Sequence, residues 1–234
     1  MTKYDIAGLL LSYLYAFGLL FIVEAIGKRF SISQNITRKI IHIGAGLWVW
    51  AIVAIFDNWY FGVIPFATFI LLNYIFVKKQ SFEQMDATQS TLGTVYFAFS
   101  ITVLFIALWR TSALIDRAPM AIAATMAMTI GDACAALLGG RFGKKAFHVL
   151  GNTKTLFGSL SMLVFSFVAI LFSLSIVPGS TLSPASAVLS TQALLSYSLV
   201  ASLVATAAEA LSPAGADNLT VPLLTGLTLY LLIG

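Results

Sequence analysis

The residues best suited to chemistry lie between positions 129 and 159, where an acid precedes a series of glycines and basic side chains. Asp132 follows Gly131 within an otherwise apolar segment. The glycines and basic residues that come next are Gly139, Gly140, Arg141, Gly143, Lys144, Lys145 and Lys154. An acid that can hold Mg²⁺ beside a basic, glycine-rich turn suits a nucleotide triphosphate. A cytoplasmic loop that carries only topology charges is the alternative interpretation, since no Walker motif is present.

Two further segments carry polar residues that can join this chemistry. Arg38 and His42 are four residues apart and share one face if the segment is helical. His42 is a candidate proton acceptor, phosphate ligand or interfacial histidine. Glu209 follows a run rich in Ser, Ala and Thr, and Asp217 with Asn218 supplies hard oxygen ligands suited to Mg²⁺. Capping of the last helix is an equally good interpretation of this pair.

The composition indicates that these residues are positioned by membrane helices. The chain has 234 residues, of which 59% are hydrophobic and 9% are charged. Its mean hydropathy is +0.96. This composition excludes a soluble globule, which would need far more polar surface, and a disordered chain. The single cysteine, Cys134, excludes a disulfide framework and a cysteine-based zinc site.

Eight apolar stretches approach the roughly 20 residues that a helix needs to cross a bilayer. They cover approximately 5–26, 40–56, 59–77, 91–109, 118–139, 157–177, 186–211 and 219–233. We predict an all-α, multi-pass transmembrane helix bundle of about seven or eight spans, with residues 1–234 forming a single catalytic domain. Small residues before Asp132 indicate that the fifth span is central. The aromatic residues near span ends, including Trp48, are expected to be interfacial anchors.

The distribution of basic residues predicts an orientation. Ten of the thirteen Lys and Arg residues fall in the first, third and fifth connections between spans. The positive-inside rule then places these connections in the cytoplasm and the N-terminus outside. The acidic and glycine-rich segments lie on the same predicted cytoplasmic face, so we expect the active face there.

The motifs resemble those of the polyprenol kinases, a family that includes dolichol kinase, phytol kinase and CTP-dependent diacylglycerol kinases. The resemblance is carried by four blocks in order, Arg38-Lys39-x-x-His42, Gly131-Asp132 with Gly139-x-x-Phe142-Gly143-Lys144, Lys154-Thr155-x-x-Gly158-Ser159, and Glu209-Ala210 with Asp217-Asn218-x-x-Val221-Pro222. These blocks cover most of the chain. Phe157 stands where many members of the family have a glutamate, and this departure favours the phytol-kinase-like branch.

The resemblance implies transfer of the γ-phosphate of CTP to a prenyl alcohol such as phytol, geranylgeraniol or farnesol, with Mg²⁺ as cofactor. It assigns catalytic roles to Asp132, His42 and Glu209, with the choice of base between the last two left open. The implied metal ligands are Asp132, Asp217 and Asn218. The implied nucleotide-binding residues are Arg38, Lys39, Gly131, Arg141, Gly143, Lys144, Lys154, Thr155, Gly158 and Ser159. The lipid bilayer is an expected partner, and nucleic acid is not.

Two alternatives remain at this stage. CDP-diacylglycerol synthases, which are CTP:phosphatidate cytidylyltransferases, share similar Gly-Asp and Lys-Thr patterns. A small transporter would instead use Asp132 and Glu209 as ion ligands within the membrane.

Overall fold

A computed structural model describes residues 1–79, 81, 92–111, 114–150 and 152–234. Within this part of the chain the fold is an all-α bundle, as predicted. Its α-helices are α1 (Lys3–Phe30), α2 (Gln34–Ile55), α3 (Trp59–Lys79), α4 (Gly93–Leu108), α5 (Ala118–Met126), α6 (Ala133–Phe142), α7 (Leu156–Ile176), α8 (Thr191–Leu211) and α9 (Asp217–Ile233). A π-helical segment, Ala127–Asp132, joins α5 to α6 without a break.

Among the described residues, six helical units are long and apolar enough to cross a membrane. These are α1, α2, α3, the continuous unit Ala118–Phe142, α7 and α8, while α4 and α9 are shorter apolar helices. The result agrees with a multi-pass membrane protein. The fourth apolar stretch was predicted from residue 91, which lies outside the described residues, and its helix is described from Gly93. The predicted orientation remains a prediction.

The first connection is much shorter than the hydropathy predicts. α1 continues to Phe30 and α2 begins at Gln34, six residues before the predicted start of the second span. Arg38 and Lys39 are therefore helical residues and not part of a loop. Their long side chains are compatible with a helix end near a membrane surface, because their charged groups can extend to the polar region.

The unit Ala118–Phe142 is the centre of the bundle, which confirms the prediction made from its small residues. Ala121, Ala123, Ala124 and Ala127 are fully buried. α5 packs against α2, α4, α7 and α9. Such close packing is possible because alanine side chains let helix backbones approach one another.

A short hairpin between α6 and α7 was not predicted. Strand β1 (Ala146–Val149) pairs antiparallel with β2 (Asn152–Thr155), so that Phe147 lies opposite Lys154. The side chain of Thr155 then caps α7 by accepting a hydrogen bond from the Gly158 backbone N–H, at 3.0 Å. The hairpin and the cap together hold Lys154 at the end of the bundle, next to α6 and α7.

Candidate functional site

A cavity of about 750 Å³ lies between the helices and joins a charged end to an apolar end. Its charged end is lined by side chains from α2, the π segment, β2, α8 and α9. Its apolar end lies among α1, α2, α3 and α4. A volume of this size is typical of a cavity that holds a small-molecule ligand.

Three carboxylates meet at the charged end although they are distant in the sequence. Asp132 is the last residue of the π segment, Glu209 lies near the end of α8 and Asp217 is the first residue of α9. One oxygen from each lies within 4.8 Å of the other two. Asp132 and Glu209 are buried, so their negative charges are poorly screened by water.

Two lysines partly balance the carboxylates. The Lys39 Nζ atom donates a hydrogen bond to Asp132 Oδ2 at 2.5 Å. Lys154 forms an ion pair with Glu209 and lies 3.5 Å from Asp217 Oδ2. Burial lowers the pKa of Lys154, but the carboxylates of Glu209 and Asp217 outweigh this effect and raise it above its usual value. The lysine therefore stays positively charged at neutral pH, and the formal charges of the three carboxylates and two lysines sum to one negative charge.

His42 presents one ring nitrogen to the carboxylates. Its Nε2 atom lies 3.7 Å from Asp132 Oδ2 and has no hydrogen-bond partner among the described residues. Nε2 is therefore the nitrogen placed to accept a proton from a group bound in the cavity. The ring edge also packs on Phe97, with centroids 4.9 Å apart.

The donor set at the charged end fits a Mg²⁺ ion. Glu209 Oε2 and Asn218 Oδ1 are buried without a hydrogen-bond partner in the described part of the chain. Asn218 is held in place because its backbone carbonyl accepts a hydrogen bond from Ser100 Oγ at 2.8 Å. Carboxylate and amide oxygens are the ligands that Mg²⁺ prefers. Asp132, Glu209, Asp217 and Asn218 could hold the ion together.

Capping of the last helix was the alternative to Mg²⁺ binding for Asp217 and Asn218, and the structure can be compared with it. Ala216 is the residue before the first turn of α9, and no side chain caps it. Asp217 lies within the helix, where its Oδ1 accepts a hydrogen bond from the Asn218 N–H at 3.0 Å. Its other oxygen faces Lys154. Asp217 is therefore not the cap residue of α9, and its second carboxylate oxygen faces the charged end of the cavity.

The start of α7 forms another wall of the cavity. Thr155, Gly158 and Ser159 line it, and the buried Ser159 Oγ has no partner among the described residues. α6 approaches so closely that a Cβ atom built on Gly139 would lie 2.9 Å from Gly158 Cα. Backbone N–H groups at a helix N-terminus favour anions such as phosphate.

Most of the predicted site residues line this cavity, and four do not. The lining residues among them are Arg38, Lys39, His42, Asp132, Lys154, Thr155, Gly158, Ser159, Glu209, Asp217 and Asn218. Gly131 packs on Met162, and Gly143 stands against the Gly139 carbonyl. Arg141 and Lys144 are exposed beyond the described cavity wall. Nucleotide binding by these four residues stays a prediction.

The apolar end of the cavity was not predicted from the sequence. Trp48, expected to be an interfacial anchor, instead lines the cavity and stacks on Tyr15 with ring centroids 4.1 Å apart. The sequence contains a signal for this, because the lining residues Ile41, Ala45 and Trp48 follow one another at four- and three-residue spacing. That spacing keeps them on one side of a helix.

Comparison with known proteins finds relatives over nearly the whole chain. The chain is 31% identical to a phytol kinase of Synechocystis sp., over 92% of this chain and 86% of that protein. It is 29% identical to a probable phytol kinase 1 of Oryza sativa, over 98% of this chain and 74% of the relative. A farnesol kinase of Arabidopsis thaliana is 27% identical over 70% of this chain and 56% of its own length. No protein-family model and no solved structure matches the chain.

Proposed function

Because the chain belongs to the phytol-kinase-like polyprenol kinases, and is a kinase that transfers phosphate to a prenyl alcohol, we propose that it uses CTP as the donor. We propose phytol, geranylgeraniol or farnesol as the acceptor, and the cytoplasmic face of the membrane as the place of reaction. The motif resemblance supports CTP as the donor. The distribution of basic residues supports the cytoplasmic face as the place of reaction.

One observation carries the proposal: a single cavity combines a charged end with an apolar end. The carboxylates and lysines suit a metal-bound triphosphate, and the aromatic wall suits an isoprenoid tail. The hydrogen-bonding groups of this wall are already satisfied by the protein. The Trp48 indole N–H donates to Ser12 Oγ, and the Tyr15 hydroxyl donates to the Gly44 carbonyl. The rings therefore offer an apolar surface that water does not favour.

Phosphoryl transfer depends mainly on positioning and on compensation of charge. Lys39 and Lys154 bring two positive charges to the end where the phosphates would bind. Asp132, Glu209, Asp217 and Asn218 would hold Mg²⁺. The ion would supply neutralisation of the phosphate oxygens and would fix the geometry of the donor.

His42 is the better of the two candidate bases. Its Nε2 is free, whereas Glu209 is paired with Lys154 and stands among the candidate metal ligands. In the proposed reaction the alcohol oxygen forms a bond with the γ-phosphorus, and the bond from that phosphorus to the bridging oxygen of CTP breaks. The hydroxyl proton passes to His42 Nε2, and CDP leaves with the electron pair of the broken bond.

The proposal is tested with the purified protein in detergent. Each nucleotide triphosphate, labelled at the γ-phosphate, is supplied with Mg²⁺ and phytol, geranylgeraniol or farnesol. We expect labelled prenyl phosphate with CTP and a loss of activity in Asp132→Asn. Asp57→Asn is the matched control, because Asp57 is an exposed acid that accepts a hydrogen bond from Thr2 and does not line the cavity.

Two results would contradict the proposal. Equal or better transfer from ATP would remove CTP as the donor. Formation of CDP-diacylglycerol and pyrophosphate from CTP and phosphatidic acid, without prenyl phosphate from any alcohol, would assign the site to a cytidylyltransferase instead.

A further inference from the structure

Along the helix axes the apolar end of the cavity stops against the packed core, and we propose that this end measures the length of the isoprenoid tail. We define the cavity floor as Ser12, Trp48, Pro65 and Phe66. This inference rests on the proposed function, since it requires that the tail of the alcohol enters the apolar end. It adds the residues that determine which alcohols are accepted.

The position of the floor follows from the directions of the helices. Trp48 is the last residue of α2 that lines the cavity, and Ser12 is the first such residue of α1. Pro65 is the first lining residue of α3. The hydrogen bond from Trp48 to Ser12 places the first two at the same level. Trp48 lies six residues beyond His42, which corresponds to about 9 Å along the helix axis.

The floor is rigid. The Trp48 Nε1–Ser12 Oγ hydrogen bond measures 3.1 Å, and Ser12 Oγ donates in turn to the Gly8 carbonyl at 2.7 Å. Tyr15 stacks on the Trp48 ring and is anchored to the Gly44 carbonyl at 2.8 Å. A tail that reaches the floor could displace it only by breaking these hydrogen bonds.

The space beyond the floor is filled by the protein core. Val49 and Ile52, on the next turn of α2, are completely buried. The Phe56 ring presses against Gly8 so closely that a Cβ atom there would lie 2.6 Å from it. Phe66 of the floor packs on Phe105, whose side chain has no exposed surface. A longer tail therefore has no further cavity to enter along this direction.

Two substitutions change the depth of the cavity in opposite directions. Trp48→Ala removes the largest side chain of the floor and deepens the cavity. Ala45→Phe adds a ring one turn nearer to His42 and shortens it. Trp50→Ala is the matched control, because Trp50 is a partly buried tryptophan of the same helix that packs on Phe172 and does not line the cavity.

The experiment measures kcat/KM for a series of prenyl alcohols that differ by single isoprene units. We expect Ala45→Phe to reduce the ratio for geranylgeraniol over farnesol by at least about tenfold, since even one methylene matters in an apolar pocket. We expect Trp48→Ala to raise, by a similar factor, the relative kcat/KM of an alcohol one unit longer than the best wild-type acceptor. Trp50→Ala should keep the wild-type ratios.

The outcomes separate this inference from the proposed function. If the wild-type protein phosphorylates prenyl alcohols but both cavity variants keep its length preference, the floor does not measure the tail. If the wild-type protein phosphorylates no prenyl alcohol, the proposed function fails and this inference fails with it. The KM for the nucleotide, measured in parallel, should be unchanged in both variants. Ala45→Phe keeps every hydrogen bond of the floor, so it provides a test even if Trp48→Ala does not fold.

Discussion

The cluster of three carboxylates and two lysines should oppose folding when no metal is bound, and Asp217→Asn tests this. Asparagine has nearly the same shape as aspartate, and its side-chain oxygen can still accept the hydrogen bond from the Asn218 N–H. The substitution therefore removes one negative charge with little change in packing. We expect the metal-free variant to be more stable than the wild-type protein and to respond much less to Mg²⁺.

The distances give the size of the effect. With an effective dielectric constant of about 20, two like charges 4.8 Å apart repel by about 3.5 kcal/mol. Asp217 has two such neighbours, Asp132 and Glu209. The attraction to Lys154 Nζ at 3.5 Å is about 4.7 kcal/mol on the same scale. Burial of the carboxyl adds to the repulsion and Lys39 adds to the attraction, so the ionised Asp217 is unfavourable by an amount on the order of 2 kcal/mol.

Thermal unfolding in detergent measures the change. In EDTA, the variant should melt about 4–8 °C above the wild-type protein, given the usual relation between free energy and Tm for a chain of this size. At a Mg²⁺ concentration about 100 times its Kd, a bound ion stabilises the folded state by about 2.7 kcal/mol. We expect that gain in the wild-type protein and a much smaller one in Asp217→Asn.

Asp57→Asn is the control, and it should respond to Mg²⁺ as the wild-type protein does. A variant that melts below the wild-type protein in EDTA would show that Asp217 is stabilised by its neighbours, contrary to the charge argument. An equal Mg²⁺ response in Asp217→Asn and wild-type protein would remove Asp217 from the metal site.

Three further substitutions test individual parts of the site. If Nε2 accepts the proton, His42→Gln should lower kcat by roughly 10²–10⁴-fold and leave the nucleotide KM nearly unchanged. An unchanged kcat would exclude His42 as the base. Lys154→Met should raise the KM for the nucleotide by roughly tenfold or more, because a charged hydrogen-bond partner of phosphate is lost. In steady-state kinetics, Arg141→Ala should raise the nucleotide KM less than Lys154→Met does, because Arg141 does not line the cavity. An equal rise in both variants would place Arg141 at the phosphates. Gly139→Ala should destabilise the fold by about 1–3 kcal/mol through its clash with the α7 backbone. Gly140→Ala should not lower the Tm, because a Cβ atom built on Gly140 meets nothing within 4 Å in the part of the chain that the structure describes.

Much of the helical framework could be predicted from hydropathy, because a bilayer requires long apolar segments. The ends of the helices were harder to predict from hydropathy. α2 begins at Gln34 with polar and basic residues that a hydropathy window assigns to a loop. The strands of the hairpin have four residues each, which is too short for a period-two pattern to stand out.

The residue types of the site were predictable, but their pairing was not. Asp132 and Glu209 were identified as acids at or inside span ends, where a charge is costly, and Asp217 was identified as a hard oxygen ligand suited to Mg²⁺. Nothing in the sequence indicates that Lys39 meets Asp132, 93 residues away, or that Lys154 meets Glu209. Such pairs depend on how the helices are arranged around the central unit. The role of Glu209 therefore changed from candidate base to candidate metal ligand once its neighbours were known.

The π segment constrains the length of the chain at this point. A π turn holds one residue more than an α turn, and an α-helix turns by about 100° per residue, so a further residue gained between Ala127 and Asp132 would rotate all of α6 relative to α5. Gly139 would then leave its contact with Gly158, and the carboxylate of Asp132 would point away from Lys39. Insertions in homologous chains should therefore be tolerated in the connections between helices and be absent from these six residues.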